Sequence, residues 1–461
     1  MPQLRLERDA LVERSGDERF EQLDLGVARR PSGRLKPGPG MSAAEVGRHQ
    51  RARIHDAFLE LIAERGYEGI TLRSLTRLAG VSTRTFYRHF ADKDDCLLDV
   101  HGNATWTLLR RIEESSAGAI SPAEKTKRAI EAIVGEWARD PRAARLMLVD
   151  ATAGSARIVD QARWANRLVQ AKLRFYFADG ATGAAQSTAT SVTSVGLLAG
   201  LSSAARFRLL TDGSTGLAGM SKGLTRWALS YNAAQEVLFV QRTTDCATYL
   251  PPRAPGRGRD SSLPTDERAL IVSAASRLLA KDGHPNLTAE NIASAAGLPK
   301  RSFFKYFLNR FECLIAVQDR RVDVAIEGAK QNGRKARAAA SPWATIAALG
   351  AYVSQDPVLN ALWHRDLSVT GEQRVQFQVR AIDKTNPLIS EPIPSNDVAF
   401  SELAVMASSG AMWGVFENAA TTSLPRSSAR VAALGSYLAF ASATDASKTL
   451  DHDQLYAIGN I

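Results

Sequence analysis

Between Ser82 and Tyr87 the chain gathers hydroxyl, guanidinium and phenol donors (Ser82, Thr83, Arg84, Thr85, Tyr87) along one short segment. Such groups suit hydrogen bonding to the base edges and phosphates of a nucleic acid. The flanking residues are patterned to present them. Ile54, Ala57, Phe58, Leu61 and Ile62 recur at i, i+3, i+4, i+7, i+8, the spacing of one amphipathic helix. Gly66 follows where a helix end needs positive φ. Thr71 reads as the N-cap of a helix over Leu72–Ala79 that turns Leu75, Leu78 and Ala79 inward. Gly80 turns the chain, Val81 plugs the turn, and Ser82 caps a second short helix over Thr83–Phe90. Two short helices joined by a glycine turn, the second carrying exposed Thr, Arg and Tyr, form a helix-turn-helix pattern.

The pattern occurs twice. Laying Arg53–Leu97 on Leu270–Leu314 without a gap pairs Ile54, Ala57, Leu61, Ala63 and Gly66 with Ile271, Ala274, Leu278, Ala280 and Gly283. Thr71, Ala79, Gly80, Arg84, Phe86, Phe90, Cys96 and Leu97 pair with Thr288, Ala296, Gly297, Arg301, Phe303, Phe307, Cys313 and Leu314. Further on, Arg139-Asp140-Pro141 matches Gln355-Asp356-Pro357, and Gly200 and Gly410 sit in similar small-residue stretches. An internal repeat over two blocks of about 200 residues is a duplication.

The run Thr71–Lys93 (TLRSLTRLAGVSTRTFYRHFADK) resembles the DNA-binding signature of the tetracycline-repressor (TetR) family, through its Ala-Gly-Val-Ser turn, Phe-Tyr pair and His-Phe-x-x-Lys segment. The resemblance implies an all-α fold of two tandem units, each a three-helix DNA-binding domain followed by a helical core for ligand binding and dimerisation. It also implies that Ser82, Thr83, Arg84 and Thr85 lie at the end of the recognition helix that enters the major groove. There Arg84 would make a bidentate contact to guanine and the threonines would meet a thymine methyl or hydrogen-bond a base. Arg73 is a further base or phosphate contact. Thr71, Tyr87, His89 and Lys93 would point at phosphates and fix the docking register, helped by backbone N–H groups at the helix starts near Thr71 and Lys93.

The second copy, Thr288–Arg310 (TAENIASAAGLPKRSFFKYFLNR), keeps the architecture with altered chemistry. Its expected DNA-binding set is Thr288, Lys300, Arg301, Ser302, Tyr306 and Arg310. Pro299 replaces the capping Ser82, Phe304 replaces Tyr87, and Glu290 replaces Arg73, placing the wrong charge toward a phosphate backbone. A weaker or different half-site is expected for this head. The alternative is a second helix-turn-helix that has left DNA and serves dimerisation, a small molecule or a protein.

The remaining sequence sets limits. A net charge of +10 is compatible with an anionic partner. Cys96, Cys246 and Cys313 show neither disulfide nor zinc spacing, as in a reducing cytoplasm. The apolar run Val195–Leu201 is too short to span a bilayer, and the first residues lack the apolar core of a signal peptide. No recognised catalytic set occurs, so no enzyme activity, cofactor or metal is expected. The expected division is a disordered tail (1–47), first DNA-binding domain (48–95), first core (96–245), linker (246–264), second DNA-binding domain (265–312) and second core (313–461). The linker is long enough for the halves to pair within one chain as a pseudo-dimer, through the small-residue stretches Ser194–Ser203 and Ala404–Gly414; a homodimer is the other possible assembly. Trp106, Trp137, Trp164 and Phe175 in the first core, and Trp343, Tyr352, Trp363, His364 and Phe377 in the second, are candidates to line an effector pocket, none assigned as a contact.

Overall fold

The computed structural model describes residues 42–152, 155–178, 184–231, 266–282, 287–335, 342–363, 369–390 and 398–421, and all statements below concern these. They form helices and two short 3-10 turns, with no strand among them. None of the helices is long and apolar enough to cross a membrane. Most of the expected tail, the linker 246–264, Trp343's side chain and His364 lie outside the described residues.

The first half runs α1 (Ala43–Arg65), α2 (Leu72–Ala79), α3 (Thr83–His89), α4 (Lys93–Ser116), α5 (Pro122–Arg139), α6 (Pro141–Leu148), α7 (Ala156–Ala178), α8 (Ala184–Thr211) and α9 (Met220–Leu229). The second repeats the order as α10 (Glu267–Asp282), α11 (Ala289–Ala295), α12 (Lys300–Tyr306), α13 (Arg310–Lys335), α14 (Pro342–Gln355), α15 (Pro357–Trp363), α16 (Gly371–Ser390) and α17 (Val398–Thr421). Helix α1 starts at Ala43, ahead of the boundary expected at residue 48. Ser42 and Glu45 close a capping box there, satisfying two amides that a helix start leaves open.

The duplication is visible in the caps. Asp140 accepts from the amides of Arg142 and Ala143 to start α6, and Asp356 accepts from Val358 and Leu359, at 2.8 and 3.0 Å, to start α15. Each aspartate precedes a proline at the first helical position, where the missing N–H costs nothing.

The halves meet through α8 and α17, the most extensive helix–helix contact among the described residues. Glycines permit it. A Cβ on Gly200 would lie 2.5 Å from the Ala407 carbonyl oxygen, and one on Gly410 would lie 2.4 Å from the Ser203 Cβ. The small-residue stretches identified in the sequence are thus the middles of two longer helices that pack against each other within one chain. Around them a continuous apolar core extends from Trp106, Ile133 and Trp227 through Leu349, Phe377 and Phe416 into the second helix-turn-helix at Phe303. The first helix-turn-helix keeps a separate cluster built on Ile54, Phe58, Ile62, Leu75, Phe86 and Leu97. Phe175 is half exposed, at 53 %, and lines no interior; Trp106, Trp137, Trp363 and Phe377 are buried. The exposure of Phe175 corrects its candidacy as a pocket residue: it projects from the last turn of α7 into solvent.

Candidate nucleic-acid interface

Local chemistry sets the two short helices of the first head. Thr71 and Ser74 cap each other, each amide bonding the other's hydroxyl at 3.1 Å, which starts α2. Gly80 adopts the left-handed conformation (φ 62°, ψ 36°), and the Val81 amide closes the turn onto the Thr76 carbonyl at 3.0 Å. Ser82 then caps α3 by accepting from the Thr85 amide at 3.0 Å. Phe86 is fully buried and Phe90 nearly so, which anchors α3 by one face and leaves the other outside.

That outer face carries Thr83, Arg84, Tyr87 and Arg88, all exposed, with Arg73 exposed on neighbouring α2. Tyr87 stands edge-on against Phe86 and is 57 % exposed. The Ser82 and Thr85 hydroxyls lie 2.9 Å apart and share one hydrogen bond, so they form a unit at the helix start. Arg88, one turn from Arg84 on the same face, was missed in the sequence; its i, i+4 relation to Arg84 was the available signal.

Two expected phosphate contacts are held by the protein itself. The Lys93 ammonium donates to the carbonyls of Tyr67 and Ile70, at 3.2 and 3.3 Å, and sits 4.0 Å from the centre of the Tyr67 ring. His89 is half-buried with Nε2 3.2 Å from the Gln50 side-chain oxygen; burial, then Arg51 and Arg88, lower its pKa and favour the neutral ring. Both side chains brace the head from within.

A charged clamp that sequence reasoning missed fixes α1 on α4. Asp99 accepts from Arg51 Nε at 2.7 Å, and the carboxylate lies 2.5 Å from His55 Nε2. Burial pushes the Asp99 carboxyl up, but the bonds from His55 and Arg51 outweigh it and hold the pKa down at about 2. Arg51 and His55 share a helix face, but nothing local names Asp99 as their partner.

A second junction ties the first head to both cores. Buried Asp150 accepts from the Tyr67 amide at 3.0 Å and lies 3.4 Å from Arg145 Nε, while Arg145 also pairs with Glu372 of the second half. Gly371 packs so tightly that a Cβ would stand 2.3 Å from the Val149 carbonyl oxygen. Burial raises the Asp150 carboxyl to about 6 against the pull of Arg145.

The second head keeps the frame. Thr288 accepts from the Asn291 amide at 3.1 Å, and Gly297 (φ 71°) makes the turn. Pro299 starts α12 with no side-chain cap. Arg301 is exposed, Arg310 is half-buried at the start of α13, and Phe304 stands 53 % exposed where the first head has Tyr87. Three expectations change. Ser302 is buried at 8 %, so it offers little surface to a groove. Lys300 pairs with Glu290 at 3.2 Å. The Tyr306 hydroxyl donates to Glu267 at 3.1 Å, and Lys305 joins the same carboxylate at 3.3 Å.

The family model described as bacterial regulatory proteins, tetR family, matches residues 54–100 and again 271–317. Among solved structures, the transcriptional regulator FadR from Bacillus subtilis in complex with stearoyl-CoA aligns at 18 % identity and a TM-score of 0.35, over 39 % of this chain and 97 % of its own. The fatty acid degradation regulator FadR from Bacillus halodurans aligns at 19 % identity and 0.36, over 42 % and 97 %. A TetR-like transcriptional regulator from Rhodococcus sp. RHA1 aligns at 13 % and 0.33, over 39 % and 96 %. Both helix-turn-helix frames thus fall within segments that match the tetR family model, so the chain carries two tandem domains similar to the one that model describes.

Proposed function

We propose that this protein represses transcription by gripping an operator in double-stranded DNA with both heads of a single chain, and releases it when a small molecule enters the helical core. The observation that carries the reading is the outward face of α3, where Arg84 is exposed beside Thr83, Tyr87 and Arg88. Arg84 reads a guanine, Thr83 meets the adjoining base, and the Ser82–Thr85 pair, Thr71, Arg73 and Tyr87 hold the backbone. In the second head Arg301 reads, with Thr288 and Arg310 toward phosphates. The heads differ, so the operator has two unequal half-sites about one helical turn apart, ~34–36 Å.

The α8–α17 packing supports a single chain as the working unit in place of a homodimer. In the first core, His101 Nδ1, Trp106 Nε1 and Trp137 Nε1 are buried with no hydrogen-bond partner among the described residues, which supports an effector whose polar groups complete them. The protein then works in the cytoplasm, where its operator is. The proposal keeps reading heads over 48–95 and 265–312 and regulatory cores over 96–245 and 313–461.

Selection of bound sequences from random duplexes by the intact chain, with light scattering of the complex, tests this. A split motif of two unlike halves on one chain is expected. A perfect palindrome held by two chains would overturn the single-chain arrangement, and the absence of any preferred sequence would overturn operator recognition. A second reading, in which the second head leaves DNA, is favoured by the burial of Ser302. It predicts a motif with one half only.

A further inference from the structure

Both lysines of the second recognition helix are held by glutamates that the first head lacks. Lys300 on α12 pairs with Glu290 on α11, and Lys305 pairs with Glu267 on α10. In the aligned first head these glutamate positions are Arg73 and Gln50. Arg73 is an exposed cation, and Gln50 hydrogen-bonds neutral His89. The two substitutions therefore subtract charge from the same face of the second head, at two separate helices.

We infer that Glu267 and Glu290 are the residues that make the two heads unequal, by neutralising the reading surface of the second one. This rests on the DNA-binding reading above. Both pairs are solvent-exposed, with side-chain exposures of 58 % and 70 % for Lys300 and Glu290, and 64 % and 38 % for Lys305 and Glu267. Exposed pairs of this kind contribute little to the fold. Their consequence falls on binding. When a phosphate backbone arrives, each carboxylate stays beside it and repels it, and each lysine is shared between a carboxylate and a phosphate. Arg301, which has no acidic partner among the described residues, is left as the main reader, so the second head contributes base preference with little backbone grip.

Electrostatic grip is read directly as salt dependence. Each phosphate fully neutralised by a lysine steepens the fall of log K against log salt by about 0.9. The experiment compares the intact chain with the double variant Glu267→Gln/Glu290→Gln on the duplex selected by the wild type, using fluorescence anisotropy across a salt series. Expected are roughly tenfold tighter binding at ~0.1 M salt and a slope steeper by about 1 to 2. The reciprocal variant Arg73→Glu in the first head is expected to weaken binding and flatten the slope. Circular dichroism melts confirm that the variants remain folded, as surface changes of this size should.

If the wild type binds its duplex but the double variant keeps the same affinity and slope, the inference is overturned while operator binding stands. If the wild type binds no duplex with a salt-dependent affinity, the DNA-binding reading itself fails, and this inference with it.

Discussion

The indole N–H of Trp227, on the last helix described in the first half, donates to the hydroxyl of Ser408 on α17 of the second half, at 3.0 Å and out of reach of solvent. Ser408→Ala would strand a buried donor, at a cost of about 1–3 kcal/mol. Urea unfolding of the intact chain should show that loss. Adding Trp227→Phe should cost less than the two single changes summed, because the pair is removed together.

The glycine seam between α8 and α17 gives a graded prediction. Gly410→Ala drives a methyl toward the Ser203 side chain, which a helix can shift to relieve. Gly200→Ala drives one toward the Ala407 carbonyl and the Trp227 ring, and backbone cannot turn aside. Both should destabilise by about 1–3 kcal/mol or more, with Gly200→Ala the worse. Thermal melts that rank them in the opposite order would count against the seam as described.

Asp150 makes the head-to-core junction pH-dependent. Its folded pKa, about 6, lies above the ordinary 3.8, so the fold favours the protonated acid. The contribution to stability is full below pH 4 and declines as pH rises through the interval from about 4 to about 6, by roughly 2–3 kcal/mol in all. Asp150→Asn keeps an acceptor for the Tyr67 amide and removes the titration. Denaturation across this range should show a flatter profile for the variant than for the wild type.

Asp99 acts in the other direction. Its pKa is held at about 2, so the Arg51–Asp99–His55 clamp stabilises the first head fully above pH 4 and is lost as pH falls from about 4 toward 2. Asp99→Asn should weaken the first head at neutral pH by stranding Arg51 and His55, and should remove the acid loss from its melting profile. The aligned second head has Val272 and Ala316 at the His55 and Asp99 positions, so this source of acid sensitivity is absent there.

Arg84 and Lys93 should separate on mutation. Arg84→Ala, on an exposed face, should leave the melt unchanged, cost about 1–3 kcal/mol on the preferred operator and relax preference at one position. Lys93→Met removes the donor to the Tyr67 and Ile70 carbonyls, so it should lower first-head stability and weaken all sequences alike. A binding titration paired with hydrogen exchange on residues 67–70 distinguishes the two; a Lys93→Met head with native exchange would refute its bracing role.

How much was legible in sequence follows the range of the interactions. The caps at Thr71, Ser82 and Thr288, the turns at Gly80 and Gly297, and the buried stripe from Ile54 to Ile62 were readable, because each is set by neighbours three or four positions away. The duplication was readable because it is a property of the string itself. The burial of Ser302 was not, since a serine at the edge of a short helix is buried or exposed by small rotations that the packing of α12 decides.

From its sequence alone this protein is two copies of a helix-turn-helix with helical cores, because period, caps and glycine turns act within a few residues. Folding decided which charges remain available. Lys93 is spent on the loop at Tyr67, Lys300 and Lys305 on Glu290 and Glu267, and Asp99 on Arg51 and His55. It also decided that Gly200 meets Ala407 and Gly410 meets Ser203 across the two halves. Each of these joins groups that lie on separate elements of the chain, and only the geometry of close-packed helices brings such groups within bonding distance.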